Sequence, residues 1–168
     1  MSFEPTSVSQ QPAGLLHTLV VFRHAPAQYT RSGTDHERPL TSEGEQLALD
    51  RGRQLASQVP GIDRTLVSTA TRTRQTAALA LRDGPDPQFI EEIYNATAGE
   101  LIAVLQRYGA DCTALVGHNP GMSELASVLS GTRQVLSPGD WVVVSFDPPA
   151  SQPLQWHSGN ITASSTTR

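Results

Sequence analysis

The sequence predicts a single α/β/α domain in which helices cover both faces of a mostly parallel central sheet. Short apolar runs typical of buried strands alternate along the chain with longer amphipathic segments that predict helices. A length of 168 residues suits one sizeable core and leaves little room for a second. We therefore expect an ordered domain over residues 17–157. Polar, proline- or serine-rich flanks predict a flexible arm over 1–16 and a disordered tail over 158–168.

The strands are predicted from short apolar and β-branched runs. The first covers 17–22, where Leu19-Val20-Val21-Phe22 leads directly into Arg23-His24. Proline-rich flanks place the last of the clear strands, 141–146, at an edge of the sheet. The other predicted strands cover 64–68, 88–93 and 113–116, and a short one is expected at 154–157.

The helices are predicted from apolar periodicity and from capping residues. Thr41 or Ser42 begins the first helix, and Pro60-Gly61 ends it. A helix over 97–108 starts with Thr97 and Glu100 in a capping-box arrangement. The remaining helices are expected at 69–81 and at 122–129, the latter closed by Gly131.

Composition excludes several classes of protein. The net charge of −4 does not fit a nucleic-acid-binding surface, and all twelve basic residues are arginine. The single cysteine, Cys112, excludes an internal disulfide and a cysteine-rich metal site. No run approaches the ~18 apolar residues that a membrane helix needs. Because the polar N-terminus also lacks the features of a signal peptide, we expect a cytoplasmic protein with neither nucleic-acid nor membrane partners.

Residues capable of catalysis follow three of the predicted strands. One strand ends at Arg23-His24 and another at Gly117-His118, while the strand ending at Ser68 leads to Arg72 near the start of a helix. Because the carboxyl ends of parallel strands meet at one edge of a sheet, these side chains are expected to converge there. Two imidazoles, two guanidiniums and a helix amino terminus suit a phosphoryl group.

Four motifs in this order resemble the histidine phosphatase superfamily, whose members have a phosphoglycerate-mutase-like fold. The resemblance spans roughly residues 18–146. The short length and the segment Asp35-x-x-Arg38-Pro39-Leu40-Thr41 are most similar to the SixA-like phosphohistidine phosphatase branch. The motifs are Arg23-His24-Ala25, Arg38-Pro39-Leu40-Thr41-x-x-Gly44, Ser68-x-x-x-Arg72-Thr73-x-Gln75-Thr76 and Gly117-His118-Asn119-Pro120.

The resemblance implies a metal-independent and cofactor-independent phosphatase. It makes His24 the nucleophile, which forms a phosphohistidine intermediate that water hydrolyses. Arg23 and Arg72 would hold the phosphoryl oxygens, and His118 would donate to the same group. Arg38 and Asp35 are candidate substrate-binding residues at the rim of the pocket.

Several alternatives remain open at the level of sequence. The general acid is Glu91, Glu92 or Asp35, and a phosphohistidine substrate needs less acid help than an alcohol ester. Ala25 replaces the glycine of the family motif, which matters only if that position requires a positive φ. The favoured substrate is protein phosphohistidine. The alternatives are a small phosphoester or a catalytically silent phospho-binding module, and the oligomeric state is not predicted.

Overall fold

The structure, a computed structural model, describes residues 15–30, 32–150 and 153–166. Single 3-10 turns occur at Asp35–Glu37 and Glu91–Ile93. The strands are β1 (Leu16–Arg23), β2 (Arg64–Ser68), β3 (Gln88–Ile90), β4 (Cys112–Gly117), β5 (Trp141–Ala150) and β6 (Asn160–Ser164). The helices are α1 (Ser42–Gln58), α2 (Thr71–Ala80), α3 (Ala98–Tyr108) and α4 (Gly121–Ser130).

One mixed sheet with the strand order β3-β2-β4-β1-β5-β6 forms the centre of the fold. The pairs β2–β3, β2–β4 and β1–β4 are parallel, whereas β5 is antiparallel to both of its neighbours, β1 and β6. Arg23 pairs with Gly117 at the ends of β1 and β4. The carboxyl ends of these strands therefore lie side by side, as the sequence predicts.

Helices pack on both faces of the sheet because consecutive strand residues point to opposite sides. Leu19 and Val21 of β1 belong to an apolar cluster with residues of α3 and α4. Val20 and Phe22 belong to a second cluster with residues of α1 and α2. All four of these β1 side chains are fully buried. The predicted three-layer architecture is confirmed.

Three details of the predicted elements are wrong. The expected strand over 88–93 ends at Ile90 and continues as a 3-10 turn. The strand over 141–146 is not at an edge, because β5 lies between β1 and β6. Residues 154–157 form no strand, and a turn occupies 156–157.

The predicted disordered tail over 158–168 is also wrong where the structure describes it. Residues Asn160–Ser164 form β6, which pairs with β5 through Val142 to Ser145. The polar composition of β6 reflects its edge position, where ladder hydrogen bonds to β5 supply the order that apolar burial does not. The predicted arm over 1–16 lies outside the described residues, apart from Leu15 and Leu16.

Residues just beyond β6 brace the loop over 131–140. The amide of Ser165 donates to the Trp141 carbonyl at 2.9 Å, and the amide of Trp141 donates to Ser165 Oγ at 3.0 Å. Ser165 Oγ also contacts Asp140 Oδ1 at 3.3 Å, and Arg51 Nη2 donates to the same carboxylate oxygen at 3.1 Å. The last strand thus secures the residues that precede β5.

Candidate active site

The turn after β1 is held from three sides. His24 donates its amide to the Gly117 carbonyl of β4 at 3.1 Å. The next amide, that of Ala25, donates to Thr76 Oγ1 of α2 at 3.0 Å. The amide of Gly139 donates to the His24 carbonyl at 2.8 Å. These contacts fix the backbone that carries the imidazole.

His24 has a defined tautomer. Its Nδ1 lies 2.7 Å from the Ala25 carbonyl oxygen. Since a carbonyl oxygen only accepts, Nδ1 carries the proton and Nε2 keeps its lone pair. Burial lowers the pKa of His24 to about 4, and the charges of Arg72 and Arg23 act in the same direction. At neutral pH, the ring is therefore uncharged and keeps a nitrogen lone pair at Nε2.

Arg72 lies at the start of α2 and is only 4% exposed. Its Nη1 donates to the Asp35 carbonyl at 2.7 Å, and its Nη2 donates to Asp35 Oδ2 at 3.1 Å. Both terminal nitrogens of the Arg72 guanidinium therefore bind Asp35. Its Nε is buried and has no hydrogen-bond partner among the described residues. Asp35 thus holds Arg72 in place and leaves the Nε–H of Arg72 without a partner, available to a ligand.

Asp35 has three side-chain partners and is ionised. Arg38 Nη1 donates to its Oδ1 at 2.8 Å, and the Tyr94 hydroxyl donates to its Oδ2 at 2.7 Å. Arg38, Tyr94 and Arg72 hold the pKa of Asp35 well below its usual range. A carboxylate in this state favours a positioning role for Asp35 and speaks against its use as the general acid.

Arg23 and the loop over 131–140 are connected directly. Arg23 Nη1 donates to the Leu136 carbonyl at 2.8 Å, and Asn119 Nδ2 donates to the same oxygen at 2.9 Å. The Arg23 amide donates to the Asp140 carbonyl at 3.0 Å. Arg23 Nε, like that of Arg72, is buried without a partner in the described part of the chain.

His118 follows β4 and faces His24, with 5.3 Å between the ring centroids. Its Nε2 lies 2.8 Å from Ser68 Oγ at the end of β2. The edge of the Tyr94 ring packs against it at a centroid distance of 5.4 Å. Burial, followed by the charge of Arg72, lowers the pKa of His118 to about 3. This imidazole is also neutral at pH 7.

Three buried nitrogen atoms beside His24 lack a hydrogen-bond partner. They are Arg23 Nε, Arg72 Nε and His118 Nδ1, out of five such polar atoms among the described residues. Buried polar groups are normally paired, so a cluster of unpaired ones at one place indicates a site for a ligand. Guanidinium donors match a phosphoryl group in charge and geometry.

The rim of the pocket contains a second hydrogen-bonded chain. His36 Nε2 lies 2.8 Å from Thr69 Oγ1, whose hydroxyl donates to Glu91 Oε2 at 2.6 Å. The His36 ring packs edge-on against Tyr94 at a centroid distance of 4.9 Å. Glu91 therefore belongs to the rim, whereas Glu92 is an exposed neighbour in the same 3-10 turn.

The structure explains two features of the sequence motifs, the alanine at position 25 and the glycine at position 44. The described non-glycine residues with positive φ are Asn95 and His157, so Ala25 needs no glycine at its position. Gly44 is required by close packing, since a Cβ there would lie 2.1 Å from the Pro26 carbonyl oxygen. The start of α1 consequently lies directly against the segment that follows His24.

The structure brings together the four residues predicted to be catalytic, and several of their contacts were not predicted. Ser68 and Thr76 belong to the motifs quoted above. Their positions at the end of β2 and on α2 could have indicated that they lie beside the site. Tyr94 and the Leu136 carbonyl have no such signal, because their roles depend on contacts between distant segments.

A model of the histidine phosphatase superfamily, branch 1, matches residues 19–119. The chain belongs to the histidine phosphatase superfamily. An uncharacterised protein of Mycobacterium tuberculosis strain H37Rv is 41% identical over 110 residues, which cover 64% of this chain and 69% of that protein. An uncharacterised chloroplastic protein of Arabidopsis thaliana is 33% identical over 129 residues, covering 67% and 59% of the two chains.

Solved structures of this superfamily share the fold. A candidate phosphohistidine phosphatase SixA of Nakamurella multipartitia matches with a TM-score of 0.77 and 26% identity, covering 93% of this chain and 98% of its own. The protein histidine phosphatase SixA in complex with tungstate matches with a TM-score of 0.72 over 88% and 95% of the two chains. At 20% identity, the second likeness concerns the fold alone. The predicted phosphoglycerate-mutase-like fold is confirmed, and the chain is a phosphatase.

The described residues contain neither a metal-binding cluster nor a membrane-spanning helix. Within 15–30, 32–150 and 153–166, no group of three or more His, Cys, Asp or Glu side chains is placed to hold a metal ion. Over the same ranges, no helix combines the length and the apolar character needed to cross a membrane.

The two neutral imidazoles predict acid sensitivity of the fold. The unfolded chain binds protons at His24 and His118 below the ordinary pKa of 6.5, whereas the folded chain resists protonation until about pH 4 and 3, respectively. The free energy of unfolding should therefore fall by roughly 2–4 kcal/mol between pH 7 and pH 5. Urea denaturation at several pH values measures this slope. A His24→Asn, His118→Asn double variant should flatten it, and an equally steep slope in that variant would contradict the assignment.

Proposed function

We propose that this chain is a metal-independent phosphatase that removes the phosphoryl group from protein phosphohistidine through a phosphohistidine intermediate at His24. One observation carries the proposal. A neutral imidazole with a free Nε2 lone pair lies beside three buried nitrogen atoms that lack partners in the described chain. A nucleophile and an anion-binding cluster at one place are what phosphoryl transfer requires.

The first step transfers the phosphoryl group to the enzyme. Arg23 and Arg72 bind the phosphoryl oxygens and stabilise their charge, with His118 as a further donor. His24 Nε2 attacks phosphorus, and the bond from phosphorus to the substrate imidazole breaks. The electron pair of that bond stays on the leaving nitrogen, which takes up a proton from solvent water. The Ala25 carbonyl stabilises the positive charge that develops on the attacking ring through its bond to Nδ1.

The second step restores the free enzyme. Water attacks the phosphorus of phosphohistidine 24, the bond to Nε2 breaks, and inorganic phosphate leaves. Neither step oxidises or reduces any group. A leaving imidazole is readily protonated near neutral pH, so this substrate makes little demand on a general acid.

A substrate on a protein surface is supported by the short segments around the pocket. The described connections at this edge are 24–30, 32–41, 69–70, 91–97, 118–120 and 131–140. Within these residues the only regular structure is two single 3-10 turns and one isolated bridge. The rim residue Asp35 has 51% of its side chain exposed, and Tyr29 is 95% exposed. The exposure of Asp35 and Tyr29 favours a partner that docks on this surface. The likeness to the Nakamurella protein supports the same substrate class.

The alternative of a small alcohol phosphoester is favoured by one observation. Glu91 lies at the rim in a hydrogen-bonded chain with Thr69 and His36, where a proton donor for a poor leaving group would be needed. The two substrates are distinguished by the same experiment.

We expect the wild-type chain, assayed in excess chelator, to release phosphate fastest from a phosphohistidine-bearing protein. Free phosphohistidine, a phosphoserine peptide and a panel of small phosphoesters should react more slowly. Rapid quenching with a ³²P-labelled substrate should reveal an acid-labile, alkali-stable phosphoenzyme, the stability expected of a phosphoramidate.

Two results would overturn the proposal. A clear preference for a small phosphoester would replace the protein substrate and retain the mechanism. The absence of turnover with every substrate, despite phosphate binding by the folded chain, would leave a phospho-binding module.

A further inference from the structure

We propose that Ser68 is a positioning residue that fixes His118 as its Nδ1–H tautomer, so that a neutral imidazole donates a hydrogen bond to the phosphoryl group. The inference rests on the proposed function for its ligand, but the tautomer is a property of the free protein. Ser68 is the last residue of β2, and its side chain is fully buried.

The hydrogen bonds of the Ser68 hydroxyl determine the direction of the contact. Its oxygen lies 3.5 Å from the Ala70 amide, which can only donate, and 2.8 Å from His118 Nε2. In the described chain, Nε2 is therefore the one acceptor within reach of the hydroxyl hydrogen. A buried hydroxyl that keeps its hydrogen unpaired is unfavourable, so Ser68 donates and Nε2 accepts.

The consequence for His118 follows from the chemistry of a neutral imidazole. One ring nitrogen is a donor and the other an acceptor. With Nε2 as the acceptor, the proton is on Nδ1, the atom that is buried without a partner in the described part of the chain. Since the pKa of His118 is lowered to about 3, protonation of both nitrogens does not supply the donor at neutral pH.

The opposite tautomer would be doubly unfavourable. It would leave the Ser68 hydrogen without an acceptor and would direct the Nδ1 lone pair at the oxygens of a bound phosphoryl group. Lone pairs that face an anion repel it, whereas an N–H stabilises it. Ser68 thus selects the form of His118 that complements Arg23 and Arg72.

The backbone around Ser68 keeps its side chain in this position. Its carbonyl accepts a hydrogen bond from Thr73 Oγ1 at 2.8 Å, and Val67 beside it pairs with Val116 of β4. The strands that carry Ser68 and His118 are therefore adjacent, and the contact joins their carboxyl ends.

The direct test is ¹⁵N NMR of the histidine rings in the free wild-type protein at pH 7, with His118 assigned by a His118→Asn variant. Two-bond ¹H–¹⁵N correlations distinguish the tautomers. We expect Nδ1 of His118 to carry the proton. Predominance of the Nε2–H form would overturn the inference, and this measurement needs neither a substrate nor a variant of Ser68.

Variants of Ser68 give a second test. Ser68→Ala should shift His118 toward the other tautomer and weaken binding of inorganic phosphate and vanadate by roughly tenfold. Its kcat/KM should fall by a similar factor or more. Ser68→Cys retains a weak donor and should recover part of both effects. Unchanged tautomer and phosphate affinity in a folded Ser68→Ala protein would overturn the inference.

The two proposals fail in different ways. An Nδ1–H tautomer and phosphate binding in a protein without phosphatase turnover would contradict the proposed function and support the role of Ser68. Normal turnover of phosphohistidine by a protein whose His118 is in the Nε2–H form would support the proposed function and contradict the role of Ser68.

Discussion

Replacement of His24 by alanine is expected to lower kcat/KM by roughly 10⁴-fold or more on every phosphoryl substrate. The reason is that His24 Nε2 keeps its lone pair, free of a hydrogen bond, beside the unpaired donors of Arg23 and Arg72. Phosphate release from the preferred substrate, followed over time in chelator, measures the effect. The phosphoenzyme detected by rapid quenching should disappear.

The control for His24→Ala separates binding from catalysis. Inorganic phosphate should still bind to the variant, because both guanidiniums remain. His157→Asn is a matched change of an exposed histidine whose φ of 56° asparagine also tolerates, and it should leave the rate unaltered. Residual activity of His24→Ala within tenfold of wild type would show that the nucleophile lies elsewhere.

Replacement of Arg72 by alanine should lower kcat/KM by roughly 10²–10⁴-fold, the range found when a donor to the transition-state charge is removed. The loss has two parts. The phosphoryl group loses a fork of donors, and Asp35 loses the partner to which its carbonyl and carboxylate both bind. Arg72→Lys should restore little, because an ammonium cannot serve Asp35 and a phosphoryl oxygen in the same fork geometry.

Arg74 provides the matched control for Arg72. It lies two residues further along α2, where its guanidinium stacks 3.9 Å from the centre of the Phe89 ring and its Nε donates to the Thr69 carbonyl. We expect Arg74→Ala to change kcat/KM by less than about threefold, because an exposed arginine that does not contact the phosphoryl group contributes little to its binding. Equal losses in Arg72→Ala and Arg74→Ala, with both proteins folded, would indicate a general electrostatic effect and contradict a specific contact.

The convergence of the central residues could be predicted because it depends on local patterns. Apolar runs that end in Arg23-His24 and in Gly117-His118 mark two buried strands, and parallel pairing brings their ends together. Arg72 follows from the strand and helix between them. Neither inference requires knowledge of a side-chain contact.

The surroundings of these residues could not be predicted, because they depend on contacts between distant segments. Tyr94 and Asp35 are 59 positions apart in the chain, and Leu136 and Arg23 are 113 apart. Asp35 is part of a polar loop in which nothing distinguishes an exposed ion pair from the residue that holds Arg72. The edge strand β6 was missed for a related reason, since its order comes from pairing with β5 and not from its own composition.

The bracing of the loop over 131–140 by Ser165 has a consequence for biosynthesis. His24 and Arg23 are translated early. The carbonyl of Asp140 accepts from the Arg23 amide, whereas the Asp140 carboxylate contacts Ser165, a residue made about 140 positions later. A nascent chain that has emerged from the ribosome only as far as β5 therefore contains His24 and Arg23 but lacks the contact of Ser165 with Asp140. The surroundings of Arg23 thus gain this contact only after β6 has been synthesised.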